Sequence, residues 1–136
     1  MRTAAERLEA RTFGHAEVFA SIALLSFLAA RFLPVLGLGF TCPARALAGV
    51  PCPTCGMTHA FVALAHGDVA AAFLANPAGA LLAGLAWTLA VADLVRLALG
   101  LPLPAVPPRA ARAASAAGAA VLLVSWGWVI AQEVGR

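Results

Sequence analysis

Charged side chains are scarce in this sequence, and lysine is absent altogether. Only 11% of the 136 residues are charged, whereas 62% are apolar, and the mean hydropathy is +0.92. A soluble globular domain carries about 25% charged residues, so this composition excludes an ordinary soluble fold. Because the length suits one domain, we predict a single integral membrane domain over residues 1–136.

The basic residues are nine arginines, scattered by ones and twos along the chain. The sequence has no basic stripe and no basic segment interleaved with aromatic residues, which is the pattern of a nucleic-acid-binding surface. We therefore expect no nucleic acid partner, despite the formal net charge of +3. The expected surroundings are a lipid bilayer, and the arginines are interpreted as topology signals.

Cysteine is also scarce, with three residues at positions 42, 52 and 55. Three cysteines are too few for a disulfide scaffold, and one disulfide would leave a thiol over. The positions are too closely grouped for independent core residues, so we predict that they belong to one site. The odd number favours either a metal held by three sulfurs or a redox pair with a third, exchanging partner.

Three apolar segments are predicted to cross the membrane as helices, which makes the fold all-α and multi-pass. The predicted spans are residues 16–33, 78–99 and 113–130, because a crossing helix needs about 20 residues. Residues 1–13 are expected to lie at the membrane surface, and residues 101–112 to form a stiff proline-rich loop. The first span is interpreted as retained rather than cleaved, since Arg31 and Pro34 replace the small residues of a cleavage site.

Residues 42–77, between the first two spans, are predicted to form a short helical elbow. A helical run over residues 57–66 stops at Gly67, and Asp68 caps a second run over residues 69–75. Neither run reaches spanning length. The elbow is therefore expected to lie along the interface or to dip into the membrane and return.

The distribution of arginine predicts the orientation in the membrane. Three arginines precede the first span, three surround the loop between the second and third spans, and one lies in the elbow: Arg2, Arg7, Arg11, Arg96, Arg109, Arg112 and Arg45. Arginine-rich segments stay on the cytoplasmic side. The amino terminus is thus predicted to be cytoplasmic, and the cysteine site to lie on the outer face.

The chemistry of the chain is concentrated in the turn Cys-Pro-Thr-Cys-Gly at residues 52–56. Proline fixes the bend, and Gly56 is expected to let the following amide approach sulfur. Cys42 would join by folding back over a loop of residues 43–51. With Cys55 in the first turn of the next helix, His59 falls on the same helical face.

These four residues predict a metal site. Cys42, Cys52, Cys55 and His59 would supply three sulfurs and one nitrogen, an ordinary closed zinc shell. Three soft ligands also suit copper(I), and the sequence does not separate the two metals. Neighbouring residues predicted to support the ligands or to lie beside them are Thr58, His66 and Asp68.

A membrane thiol–disulfide oxidoreductase is the alternative function. Cys52 would attack and Cys55 would resolve, since the free amides at a helix amino terminus lower a thiol pKa. No thioredoxin-like strand pattern and no quinone or flavin signature accompanies the motif, so catalysis is left open. A further alternative is a lipid- or ion-handling subunit with a structural cysteine staple. That role would need a homo-oligomer or a membrane partner.

An ordered series of short motifs resembles a known family. The motifs are Cys42-Pro43, Ala46 to Gly49, Cys52 to Thr58, Ala60-Phe61, Gly67-Asp68 and Asn76-Pro77. Over roughly residues 35–100 the chain resembles the uncharacterised bacterial family called domain of unknown function 2752. The resemblance implies a small multi-span protein of a bacterial inner or plasma membrane, with no established activity.

One position departs from the pattern of that family. An arginine usually follows the threonine where this chain has His59, so a histidine ligand is not implied as the general device of the family. An arginine there implies an anion or a lipid headgroup near the thiols, a role that a protonated histidine keeps in part. The resemblance thus supports the three cysteines more strongly than His59.

Overall fold

The computed structural model describes residues 15–39, 42–101 and 107–135, and in these ranges the chain is helical with no strand. The helices are α1 (His15–Phe32), α2 (Pro43–Ala48), α3 (Met57–Ala65), α4 (Val69–Ala75), α5 (Pro77–Ala98) and α6 (Pro108–Val134), with a 3-10 turn at Val35–Leu38. The predicted all-α class is confirmed. The predicted surface segment 1–13 and residues 102–106 of the predicted loop lie outside the described residues.

Local sequence signals account for most helix ends. Asp68 accepts a hydrogen bond from the Ala71 amide at 2.9 Å, which caps α4 as predicted. Pro77 begins α5 and Pro108 begins α6, in first-turn positions where the missing amide proton is not needed. For that reason α6 starts five residues before the predicted third span, and the proline-rich loop is shorter than predicted.

Residues 43–48 form the helix α2, where the sequence analysis expected only a loop. Pro43 occupies its first turn, and Gly49 ends it with φ +69°, donating its amide to the Arg45 carbonyl at 3.0 Å. Proline is a standard residue in the first turn of a helix, and glycine is a standard residue at its end. The helix has only six residues, so its composition does not distinguish it from a loop.

The helices pack through small side chains. Besides Pro51, the buried apolar side chains of the described residues are ten alanines. One cluster joins α1 to α5 and a second joins α3, α4 and α5, and the alanines of these two clusters are Ala20, Ala23, Ala90, Ala60, Ala72 and Ala80. Large side chains point outward instead, with Phe19 exposed by 67% and Val124 by 75%. Small residues inside and large apolar residues outside are typical of helices packed in lipid.

Trp87 is the large side chain that links α5 to α1. Its ring packs edge-on against Phe27, with ring centroids 5.0 Å apart, and its indole nitrogen donates to the Ser26 hydroxyl at 3.0 Å. The indole also meets Phe61 of α3 at 5.9 Å. Trp87 of α5 thus contacts both α1 and α3 and links the three helices.

Two helices of the described chain, α5 and α6, are long and apolar enough to cross a membrane. Helix α1 is not one of them. It has 18 residues, with Glu17 near its start and Arg31 near its end. The predicted three-span arrangement is therefore supported for its second and third spans and not for its first.

Candidate metal centre

The three cysteine sulfurs meet at one point beside the amino terminus of α3. The Sγ atoms of Cys42 and Cys52 lie 3.2 Å apart, and those of Cys52 and Cys55 lie 3.5 Å apart. All three sulfurs lie within 4.8 Å of one another, are half-buried and are free thiols. Sulfur atoms bound to one ion at about 2.3 Å are separated by roughly 4 Å, so this group is close to the spacing that a metal requires.

The turn at residues 52–56 positions two of these sulfurs. The Cys55 amide donates to the Cys52 carbonyl at 3.0 Å, which brings both side chains to the same side. The Met57 amide, which follows Gly56, donates to the Thr54 carbonyl at 3.1 Å rather than to a sulfur. The expected role of Gly56 is therefore corrected: its φ is +81°, and a Cβ atom there would lie 2.6 Å from the Ala75 carbonyl oxygen.

Asn76 anchors this turn from outside it. The side chain is fully buried, and its Nδ2 donates to the carbonyls of Pro53 at 3.2 Å and Cys55 at 2.9 Å. Its Oδ1 accepts from the Gly79 amide at 2.8 Å and from the Ser125 hydroxyl at 3.0 Å. Both donors and both acceptor positions of the amide group are thus used.

Ser125 extends the same network to α6. It is 1% exposed, and its hydroxyl accepts from the Ala78 amide at 3.1 Å while donating to Asn76. The cysteine turn, the start of α5 and the middle of α6 are therefore joined by one buried polar group. No sequence pattern marks Ser125. Asn76 is marked only by the proline that follows it, since the pair Asn76-Pro77 stands where α4 ends.

Cys42 is held differently, because it precedes α2. Arg45 of this helix forms an ion pair with Glu133 near the end of α6. The Trp126 indole donates to the Pro51 carbonyl at 2.9 Å, which fixes the chain just before Cys52. These contacts fold residues 42–51 back over the turn, as the sequence analysis expected for Cys42.

The sulfurs line an open cavity of about 570 Å³. Arg45, Thr58 and His59 line it with them, so the cavity brings basic and hydroxyl groups to the same place. A second cavity of about 310 Å³ adjoins it and shares Arg45, Cys55 and His59. The sulfurs are therefore accessible from solvent or from the membrane surface.

The structure places the other predicted site residues at varied distances from the sulfurs. His59 and Thr58 line the cavity, but His59 does not join the group of potential ligand atoms within 4.8 Å among the described residues. The threonine whose hydroxyl meets a sulfur is Thr54, 3.0 Å from the Cys52 Sγ. His66 bonds the Val62 carbonyl of its own helix at 2.9 Å, and Asp68 caps α4.

The surroundings of the sulfurs separate their acidities. A hydrogen bond from the Arg45 amide, helped by the thiols of Cys55 and Cys52, lowers the pKa of Cys42 from 9.0 to about 6. Burial, together with hydrogen bonds that favour its protonated form, raises the pKa of Cys55 from 9.0 to about 12. Cys42 therefore ionises before Cys55.

Alkylation of the metal-free protein should show this order. Thiolates rather than thiols react, so labelling of Cys42 by iodoacetamide is expected to rise as the pH increases through about 6. Cys55 stays protonated up to a pH of about 12 and should remain unlabelled at neutral pH. Peptide mass spectrometry after short labelling pulses measures both sites, and equal labelling of Cys42 and Cys55 at pH 7 would contradict the assignment.

Comparison with known proteins finds one family. Residues 42–90 match the family described as Protein of unknown function (DUF2752). This match confirms the resemblance inferred from the short motifs, and it includes all three cysteines and Asn76. No curated protein and no solved structure matches the chain.

Proposed function

We propose that this chain is a small integral membrane protein that binds a metal ion, zinc or copper(I), through Cys42, Cys52 and Cys55. The observation that carries the proposal is the convergence of three sulfurs within 4.8 Å on one cavity. Cysteine thiolates are preferred ligands of both metals. Contacts from α2, α5 and α6 hold the sulfurs in this arrangement. A cysteine that only fills space in a core does not need such contacts.

The membrane location is supported by the packing of the helices. Helices α5 and α6 have spanning length, and residues 108–124 of α6 are exposed on all sides of the isolated chain. Lipid covers such a surface without the cost of exposing it to water. The outer-face position of the cysteine site, a cytoplasmic amino terminus, a first span in α1 and assembly into a homo-oligomer stay predictions.

Metal analysis of the purified full chain tests the proposal. The wild type is expected to carry about one zinc or copper ion per chain, and Cys52→Ser to carry none, because Cys52 is the sulfur adjacent to both others. Thr54→Val is the matched control, since it removes the hydroxyl beside Cys52 and keeps every sulfur. A wild-type protein that binds neither metal when loaded in reducing buffer would refute the proposal.

A thiol–disulfide oxidoreductase is the second candidate, and the central position of Cys52 favours it. Its sulfur lies within 3.5 Å of two other thiols, so it can form a disulfide with either after a small movement. Forming that bond releases two protons and passes two electrons to the disulfide of a partner, which becomes a dithiol. If all three cysteines are alkylated in the denatured protein, whether or not it was first treated with reductant, this function is excluded.

A further inference from the structure

Two of the three sulfurs are rigidly held. Cys52 and Cys55 share a turn whose backbone is closed by the hydrogen bond from the Cys55 amide to the Cys52 carbonyl. The buried Asn76 side chain also donates to carbonyls within this turn, at Pro53 and Cys55. These bonds hold the backbone that carries both sulfurs, so Cys52 and Cys55 keep their place relative to one another.

The third sulfur is held loosely. Cys42 precedes α2, every residue of which is exposed, and this helix takes no part in the main helix–helix contacts of the described chain. The Trp126 bond to Pro51 fixes the chain after α2, and α2 itself is held by the Arg45–Glu133 ion pair, whose side chains are 54% and 34% exposed. Exposed pairs contribute little to stability, so Cys42 can leave the other two sulfurs at low cost.

The ligand set is also open. Among the described residues, no histidine, cysteine or carboxylate joins the three sulfurs within 4.8 Å, and the sulfurs face the cavity of about 570 Å³. A structural zinc site is almost always closed by four protein ligands. Soft thiolates without a fourth protein ligand fit a soft monovalent cation instead.

We infer that the centre is a transfer site for copper(I), in which Cys52 and Cys55 are fixed ligands and Cys42 is the ligand that an incoming thiol displaces. This inference depends on the proposed metal binding. In the first exchange step, the sulfur of the incoming thiolate bonds to copper as the bond from copper to Cys42 breaks, and the Cys42 thiolate takes up the proton lost by the incoming thiol. Further acceptor thiolates then replace Cys52 and Cys55 in the same way, each passing its proton to the cysteine it displaces, and copper leaves on the acceptor. Copper remains in the +1 state, so no oxidant or reductant is required.

The experiment uses the full chain in detergent, loaded anaerobically with copper(I). Copper and zinc contents are measured first: a protein that binds neither metal contradicts the proposed function itself, and one that binds zinc but no copper overturns the transfer inference alone. The loaded protein is then mixed with glutathione, and copper(I) released to it is followed by the absorbance of bathocuproine disulfonate. The transfer rate is expected to rise with glutathione concentration; a rate independent of glutathione would overturn the exchange step while leaving metal binding intact.

Variants of the ion pair test the role of Cys42. Glu133→Gln frees Arg45 and with it α2, so transfer is expected to be about two- to fivefold faster, the range that a weak exposed pair can give, with unchanged copper content. Arg112→Gln removes a charge near the start of the same helix, outside the site, and is the matched control. Equal rates in Glu133→Gln and the control would contradict a movable α2.

Ligand variants separate an open from a closed centre. Cys42→Ser is expected to keep copper on Cys52 and Cys55 with an affinity lowered by at least about tenfold, since even changes outside a ligand shell cost about 10- to 100-fold. X-ray absorption of the wild type should show three sulfur neighbours and no nitrogen, unchanged in His59→Ala. A nitrogen neighbour lost in His59→Ala would show a closed four-ligand shell and would overturn the inference.

Discussion

Replacing Asn76 with leucine is expected to lower the free energy of unfolding by about 3–5 kcal/mol, because it removes four buried hydrogen bonds and leaves their partners unsatisfied. The carbonyls of Pro53 and Cys55 and the Gly79 amide would lose their side-chain partner. The midpoint of thermal unfolding in detergent measures the loss. Metal content should fall with it, since the cysteine turn loses its anchor.

Two further variants divide this effect. Ser125→Ala breaks only the link to α6 and keeps the bonds of Asn76 to the cysteine turn, so it is expected to cost about 1–2 kcal/mol and to keep the metal. Asn76→Asp keeps the acceptor oxygen but turns a carboxylate oxygen toward two carbonyls, so metal binding should fall sharply. If Asn76→Leu and Ser125→Ala destabilise equally, the anchoring role of Asn76 is wrong.

Replacing Gly56 with alanine is the second change with a large expected effect. Two costs add at this position: the backbone has φ +81°, which costs an L-residue about 1–2 kcal/mol, and the new Cβ would lie 2.6 Å from the Ala75 carbonyl oxygen. Overpacking of this kind costs about 1–3 kcal/mol more. The expected loss of stability is therefore about 2–5 kcal/mol, measured by thermal unfolding.

Gly67→Ala provides a matched control for this prediction. Gly67 has φ +86°, but a Cβ there meets nothing within 4 Å. It therefore carries the backbone cost of about 1–2 kcal/mol without the collision. The difference between the two variants isolates the contact between Gly56 and the end of α4. Equal destabilisation by both variants would show that this contact is not tight.

Much of the secondary structure could be predicted from the sequence because its signals are local. Asp68 caps α4, Pro77 begins α5 and Gly67 follows α3, and each acts on backbone within a few residues of itself. The cysteine site was recognisable for a similar reason, since two of its sulfurs lie three residues apart in one turn. The number of predicted spans is supported only in part, since α5 and α6 are long and apolar enough to cross a membrane and α1 is not among such helices.

The helical, apolar character of the chain and the gathering of its sulfur chemistry in one segment follow from composition and short-range spacing. What holds the sulfurs together became visible only in the packed helices. Asn76, Ser125 and Glu133 act on partners 21 to 88 residues away, and no periodicity marks such a pairing. The physical reason is that a buried hydrogen bond or an ion pair between distant segments depends on how whole helices pack.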